Sequence, residues 1–322
     1  MTQIGLALLP QFSGWEQWGR ALQLAEDSGF QCVFAPDHFA NPADHPRPEC
    51  GDSLETWTAL TYAADHTKRI ELGSIVSPVT FRHPAMLARL AVIVDNLSHG
   101  RLVLGLGAGW QEWEHKTFGI PFYDVSTRFD RLAEALEITT RLFRSETPVS
   151  FQGKHFSLEE AVLLPRPSRK GGPPILIGGN GWKRTLPLAA QYANEWNAAL
   201  VSVEVYKERA ARLDELLAHN GRKPGDVKRS LFLDTLLVKN EAELPAAMAR
   251  WSQRFGQPIT EKDLSRNGVV NGMASQWVEQ LGQYAEAGVE RILLRWPDVA
   301  NLDGLALIAR QVLPHFHQGN RI

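Results

Sequence analysis

Two apolar runs that end in glycine constrain the fold of this chain more than any other feature. The first is residues 103–106, and glycine occupies every second position through its end, at Gly105, Gly107 and Gly109. The second is residues 175–177, which continue directly into Gly178, Gly179, Asn180 and Gly181. Glycine has no Cβ, so another backbone or a flat ligand can approach closely there. Two such strands predict one site at the carboxyl edge of a parallel sheet.

Short apolar runs alternate with segments of helical spacing along the whole chain. Eight runs are predicted to be strands: residues 4–9, 31–35, 70–76, 101–106, 175–177, 195–200, 231–238 and 291–295. At least one helical segment follows each, and the first, residues 15–28, has Gly29 just past its end. This pattern predicts an α/β fold, a (β/α)₈ TIM barrel with insertions. An open α/β sheet with a helical C-terminal domain is the alternative.

The chain shows no internal repeat and no low-complexity linker, so we expect residues 1–322 to form a single barrel domain. Its insertions are predicted near residues 111–126, 146–172 and 254–272. The second insertion contains a short hairpin pattern with a glycine turn at residues 151–156. Two polar, helix-prone stretches near 241–254 and 273–286 enclose the third, which is predicted to be an irregular loop.

The charge balance argues against a nucleic-acid partner. The 34 basic and 36 acidic side chains give a formal net charge of −2, whereas a phosphate-binding surface usually needs a basic excess. No apolar segment approaches the roughly 20 residues of a membrane span, and no basic leader precedes the first strand. The two cysteines, Cys32 and Cys50, are compatible with a reducing compartment. We therefore expect a cytoplasmic protein without a membrane partner.

Asp37 and His38 directly follow the second predicted strand, at the edge where a barrel places its active site. Histidine transfers protons near neutral pH, so His38 is the candidate catalytic residue, and Asp37 could accept a hydrogen bond from a ligand. Both could also belong to a metal cluster with three loop residues, Asp44, His45 and Cys50. That spacing matches no structural zinc pattern, and we expect no metal.

The glycine run after the fifth predicted strand is typical of a phosphate site. Gly178, Gly179, Asn180 and Gly181 lead into a predicted helix at residues 182–193, so free backbone N–H groups would converge on one anion. Lys183 and Arg184 fall in the first turn, where the helix dipole disfavours positive charge unless an anion is bound. A tight turn that needs glycine only for its geometry is the alternative.

The glycines around residue 107 do not form a dinucleotide fingerprint, because G-x-G-x-x-G would need glycine at Trp110. A wall that contains Gly107 beside Trp110 is better suited to a flat ring system. The chain also has no G-x-S-x-G elbow and no Walker motif, which argues against a serine hydrolase or a P-loop enzyme.

These residues resemble the luciferase-like flavin and deazaflavin oxidoreductases, in particular the branch that uses the deazaflavin coenzyme F420. The resemblance covers most of the chain and depends on several spaced motifs in order: residues 25–30, Asp37-His38-Phe39, residues 81–84, residues 100–110, residues 128–132 and Ile177-Gly178-Gly179. The family's fold is the (β/α)₈ barrel, with the cofactor site at the carboxyl ends of the strands.

The resemblance implies roles for particular residues. The cofactor phosphate would lie on Gly178, Gly179, Asn180 and Gly181, beside Trp182. Asp37 would contact the ring, and His38 would be the acid/base residue. The family often has a non-prolyl cis peptide in its third strand that bulges toward the ring, which here would join Ile75 and Val76.

One position departs from the family's sugar-phosphate dehydrogenases, which carry a catalytic glutamate where this chain has Trp110. Glu112 and Glu114 are nearby but not at the matching position. We therefore expect a hydrophobic or aromatic substrate in place of glucose 6-phosphate.

The resulting functional hypothesis is an oxidoreductase that transfers a hydride between coenzyme F420 and a small organic substrate. One alternative keeps the fold and uses FMN, as the oxygenase of a two-component monooxygenase. Another is a non-catalytic flavin- or deazaflavin-binding protein. A homodimer is also expected from the resemblance.

Overall fold

Eight parallel strands close into a barrel in the computed structural model, which describes residues 1–11, 13–39 and 52–316. In their order around the barrel the strands are β1 (Gln3–Leu8), β2 (Cys32–Ala35), β3 (Glu71–Ser74), β5 (Leu102–Gly107), β8 (Ile175–Gly178), β9 (Glu195–Ala199), β10 (Lys228–Leu237) and β12 (Arg291–Trp296). Strand β1 pairs with both β2 and β12, and β10 pairs with both β9 and β12, so these eight strands form a closed ring. The predicted (β/α)₈ barrel is confirmed, and the open-sheet alternative is wrong.

Helices surround this barrel, and the long ones lie close to where the apolar spacing predicted them. They are α1 (Trp15–Asp27), α2 (Thr56–His66), α3 (Pro84–Leu97), α4 (Glu112–Thr117), α5 (Val125–Arg144), α6 (Thr185–Tyr192), α7 (Val203–His219), α8 (Leu244–Phe255), α9 (Glu261–Arg266), α10 (Ala274–Glu286) and α11 (Leu302–Gln311). Gly29 follows α1 with φ +87°, the left-handed conformation that glycine allows at a helix end. None of the described helices combines the length and the apolar composition needed to cross a lipid bilayer.

The third predicted strand, residues 70–76, is shorter in the structure. Strand β3 ends at Ser74, and a cis peptide bond joins Ile75 to Val76, where the resemblance placed it. The chain then resumes as a two-residue strand, β4 (Ser77–Pro78), which pairs with β5. Apolar composition alone does not reveal this interruption, because Ile75 and Val76 have the side chains of an ordinary buried strand.

The third predicted insertion contains more regular structure than the sequence predicts, whereas the hairpin of the second was predicted. The stretch near 254–272 includes α9 and a further strand, β11 (Val269–Gly272), which extends the sheet along the far end of β10. The hairpin in 146–172 is present as β6 (Val149–Gln152) and β7 (Ser157–Ala161). The Glu134 carboxylate anchors its turn by accepting hydrogen bonds from three successive backbone amides, those of Lys154, His155 and Phe156.

Charged side chains close the amino end of the barrel. Arg291 begins β12 and is 1% exposed; its guanidinium pairs with Glu71 and, at 3.1 Å, with Glu195, which begin β3 and β9. Burial raises the pKa of Glu195 against the opposing effect of Arg291, and it raises the pKa of the Cys32 thiol to about 12. This end is therefore a packed plug, and the opposite end remains open for a ligand.

Candidate active site

A cavity of about 530 Å³ opens at the carboxyl end of the barrel strands. Six of the residues predicted for the site line it: His38, Ile75, Val76, Trp110, Gly178 and Gly179. Most of the remaining wall is apolar, with Leu9, Pro36 and Phe232 among its residues. A cavity of this size and composition is typical of a small-molecule or cofactor site.

Three glycines make room for Val76 at the floor of this cavity. A Cβ on Gly107 would lie 2.5 Å from Val76 Cγ2, and one on Gly178 would lie 2.8 Å from Val76 Cγ1. A Cβ on Gly105 would collide with the carbonyl oxygen of Ser74. The alternating glycines of β5 therefore allow the segment from Ser74 to Val76 to approach closely. Gly107 supports the floor without lining the cavity itself.

His38 is a titratable group of the wall, and a buried carboxylate binds it. Its Nδ1 lies 2.7 Å from Oε2 of Glu114, whose side chain is fully buried at 0% exposure. The other oxygen of Glu114 accepts a hydrogen bond from the amide of Phe39, also at 2.7 Å. Because Nδ1 is engaged by Glu114, Nε2 is the ring nitrogen left for a ligand.

Asp37 lies next to His38 in sequence but does not line the cavity. It is 2% exposed, and its carboxylate accepts hydrogen bonds of 2.6 Å from Ser77 Oγ and from the Arg82 guanidinium. Arg82 also contacts Glu55, the residue that caps α2. The structure thus separates Asp37 from the ligand position that the sequence suggested for it. It connects Asp37 to β4 through Ser77 and to α2 through Arg82 and Glu55.

The loop after β8 differs from the predicted arrangement, in which free backbone N–H groups converge on one anion. Gly179, with φ +123°, donates its amide to the carbonyl of Asn197, so this N–H is not free. Both polar atoms of the Asn180 side chain bind the backbone of Ala199. Asn180 thus positions the loop and does not line the cavity, and the phosphate contacts stay a prediction.

The predicted helix start at Trp182 is wrong, because residues 182–184 form a turn and α6 begins at Thr185. A Cβ on Gly181 would lie 2.7 Å from Thr185 Oγ1, so this glycine permits the tight turn. Trp182 is 40% exposed, and the Arg209 guanidinium lies 4.9 Å from its ring centroid. Neither Gly181 nor Trp182 lines the cavity.

Trp110 forms an exposed part of the wall. It is 64% exposed, and its ring meets His38 edge-on with centroids 5.9 Å apart. Such an exposed indole beside an apolar cavity offers a large contact surface to a bound ring system.

Sequence reasoning missed two charged groups of the site. Glu114 was set aside because it does not match the family's catalytic position, yet it contacts His38. Arg295 lines the cavity and pairs with Asp234 at 3.0 Å, where both side chains are largely buried. Arg295 falls inside the last predicted strand, where an arginine at the inward position is the signal that could have identified it.

Some predicted site residues lie outside the described part of the chain. These are the loop residues Asp44, His45 and Cys50, named in the metal hypothesis.

Comparison with known proteins gives a consistent result over the whole barrel. The family described as luciferase-like monooxygenase matches residues 2–298. Among its relatives, a protein of Microbacterium testaceum named F420-dependent glucose-6-phosphate dehydrogenase is 27% identical over 320 residues, covering 92% of this chain and 91% of that protein. A protein of the same name from Intrasporangium calvum is 25% identical over 317 residues, covering 90% and 91%.

Solved structures show the same fold at low sequence identity. An F420-dependent secondary alcohol dehydrogenase in complex with an F420–acetone adduct superposes with a TM-score of 0.85 at 20% identity, covering 98% of this chain and 99% of that one. The F420-dependent tetrahydromethanopterin reductase of Methanopyrus kandleri gives 0.81 at 19% identity, with the same coverage. A monooxygenase of Streptomyces bottropensis gives 0.80 at 21% identity, covering 98% and 100%.

Proposed function

Because this chain belongs to the luciferase-like monooxygenase family, we propose that it is an oxidoreductase that transfers a hydride between coenzyme F420 and a small organic substrate. The observation that carries the proposal is His38 in the wall of the cavity, with Nδ1 bound by a buried carboxylate and Nε2 left for a ligand. The relatives named for F420-dependent dehydrogenation support the deazaflavin over FMN.

The cavity fits a flat ring system on structural grounds. Gly178 and Gly179 leave part of the wall without side chains, and Val76 presents an apolar surface that packs closely against three glycines. Trp110 extends this surface toward solvent. When bound, the deazaflavin supplies a ring carbon that takes up or releases a hydride and reacts poorly with oxygen.

The chain's own contribution is to position the substrate and to move a proton. When an alcohol is oxidised, Nε2 of His38 accepts the hydroxyl proton as the hydride leaves the carbon. When a carbonyl is reduced, the protonated imidazole of His38 donates a proton from Nε2 to the new alkoxide oxygen.

The cavity wall favours a mostly apolar alcohol or carbonyl compound as substrate. Leu9, Pro36, Phe232 and Trp110 provide apolar contacts. By the resemblance, Trp110 lies where the family's sugar-phosphate dehydrogenases have glutamate. Arg295, the cation of the wall, is already neutralised by Asp234. These features support the prediction of a hydrophobic or aromatic substrate.

Cofactor titration tests the proposal directly. We expect F420 to quench the fluorescence of the purified protein at lower concentration than FMN, and a panel of secondary alcohols to reduce bound F420. His38→Asn should keep F420 affinity and lose turnover by about 10²–10⁴-fold. His66→Asn, a change on α2 at a half-exposed histidine, is the matched control and should change neither.

Other results would contradict the proposal. Tight FMN binding without F420 affinity, together with oxygen uptake in the presence of reduced FMN, would support the monooxygenase alternative. Bound F420 without turnover on any alcohol or carbonyl compound would support a binding protein. The cytoplasmic location, the homodimer, the absence of a nucleic-acid partner and the single domain over residues 1–322 stay predictions from the sequence.

A further inference from the structure

We propose that Glu114 is the positioning residue that fixes the proton of His38 on Nδ1 and thereby keeps Nε2 as a proton acceptor toward the cavity. The predicted effect on turnover rests on the proposed function. The tautomer itself can be observed in the protein without any cofactor.

The hydrogen-bond partners of Glu114 determine this tautomer. Its side chain is 0% exposed, and its two oxygens have different donors: Oε2 faces Nδ1 of His38 and Oε1 faces the amide of Phe39, both at 2.7 Å. An ionised carboxylate only accepts hydrogen bonds, so Nδ1 must carry a proton. In a neutral imidazole the other nitrogen then has its lone pair free.

The backbone around His38 restricts alternatives to this arrangement. Gln11, which is 1% exposed, donates from Nε2 to the carbonyl of His38 at 2.9 Å and to that of Pro36 at 3.1 Å. The Phe39 amide holds the other carboxylate oxygen in place. Hydrogen bonds therefore hold the backbone on both sides of His38. The imidazole ring has little freedom to turn Nδ1 away from Glu114.

The same contact matters when His38 becomes charged. A protonated imidazole would lie 2.7 Å from a carboxylate that has no solvent exposure, where a charge-assisted hydrogen bond is stronger than in water. Glu114 would thus stabilise the cation that forms as the substrate loses its proton. It does so without lining the cavity, so it acts through His38 and not on the substrate.

The amide substitution Glu114→Gln should reverse the tautomer. The Phe39 N–H can only donate, so the oxygen of the new glutamine has to remain there. The NH₂ group then faces Nδ1 of His38, which must become the acceptor. The ring proton moves to Nε2, and the nitrogen that faces the cavity becomes a donor. This prediction follows from the hydrogen bonds that Glu114 makes with His38 and Phe39, and it needs no change in fold.

Nuclear magnetic resonance of the full chain labelled with ¹⁵N-histidine measures the tautomer. We expect the wild-type His38 ring to show a protonated Nδ1 and an unprotonated Nε2, and Glu114→Gln to show the opposite. His38→Asn identifies the signal among the ten histidines. Glu112→Gln, an exposed residue on the same helix, is the matched control and should leave the wild-type pattern. A neutral wild-type ring protonated on Nε2 and not on Nδ1 would overturn the proposal without any variant.

Steady-state kinetics provide the second readout. Glu114→Gln should reduce kcat by about 10²–10⁴-fold, the range expected when a catalytic histidine has its proton on the wrong nitrogen. The dissociation constant for F420, measured by fluorescence, should change less than about twofold, because Glu114 does not line the cavity. A reversed tautomer with unchanged kcat would refute the role in turnover. An inactive wild type with the expected tautomer would instead refute the proposed function.

Discussion

Gly107→Ala should destabilise the fold by crowding the floor of the cavity. The new Cβ would lie 2.5 Å from Val76 Cγ2, whereas ordinary contacts begin at 3.4 Å, so the two carbons must separate by about 0.9 Å. Valine has few rotamers because it is branched at Cβ, and a small rotation cannot relieve the overlap. Overpacking of this kind costs about 1–3 kcal/mol.

Val76→Ala provides the decisive comparison, because it removes the methyl group with which the new Cβ collides. Alone it should destabilise the protein by loss of packing. Combined with Gly107→Ala it should relieve the overlap, so that the double variant is more stable than the sum of the single effects by about 0.5–3 kcal/mol. The experiment is a double-mutant cycle in urea, followed by tryptophan fluorescence.

Gly282→Ala is the matched control for this cycle. Gly282 lies within α10, and a Cβ there would have no neighbour within 4 Å in the described part of the chain beyond the backbone of its own helix and its chain neighbours. Because alanine is the better helix former, we expect this variant to gain up to about 1 kcal/mol. If Gly107→Ala were as stable as Gly282→Ala, or if the double variant were simply additive, the close approach of β5 to Val76 would be refuted.

Two further predictions concern buried charge and pH. Arg291→Met should cost about 3–5 kcal/mol in urea unfolding, because Glu195 loses its buried partner, whereas Arg141→Met, at an exposed pair, should cost at most about 0.5 kcal/mol. Burial lowers the pKa of His115, so below about pH 6.5 the unfolded chain binds a proton that the folded chain resists. The free energy of unfolding should fall as pH drops through this range, and it should fall less steeply in His115→Gln. Equal slopes in the two proteins would contradict this role of His115.

The sequence predicts the barrel well because apolar residues are spaced differently in its strands and in its helices. Strands β5 and β8 are continuous apolar runs, as expected of strands buried on both faces. The predicted helix at residues 182–193 starts three residues too early because Trp182 also fits an apolar helical face. The strand-like residues Ile75 and Val76 hide the end of β3 for a similar reason, since local composition does not encode their position beneath the ligand cavity.

The candidate site is predicted less completely, because strand-end position does not determine where a side chain points. His38 and Asp37 are adjacent, yet His38 faces the cavity and Asp37 faces Ser77 and Arg82. Their partners lie 40 to 76 residues away in sequence. Such pairings depend on how separate elements pack, and a single sequence carries no local pattern for them.

The short helix α4 explains why Glu114 in particular could not be identified from the sequence. Six residues are too few to form a stable helix in water, and they show no apolar period that pattern analysis could detect. Tertiary contacts hold it: Glu114 binds His38 and Phe39, while Nε2 of His115 lies 2.7 Å from Thr80 Oγ1. Two adjacent buried polar residues thus fasten α4 to the loops after β2 and β4. Because α4 depends on these bonds for its position, the Glu114 carboxylate reaches His38 only when the barrel is assembled.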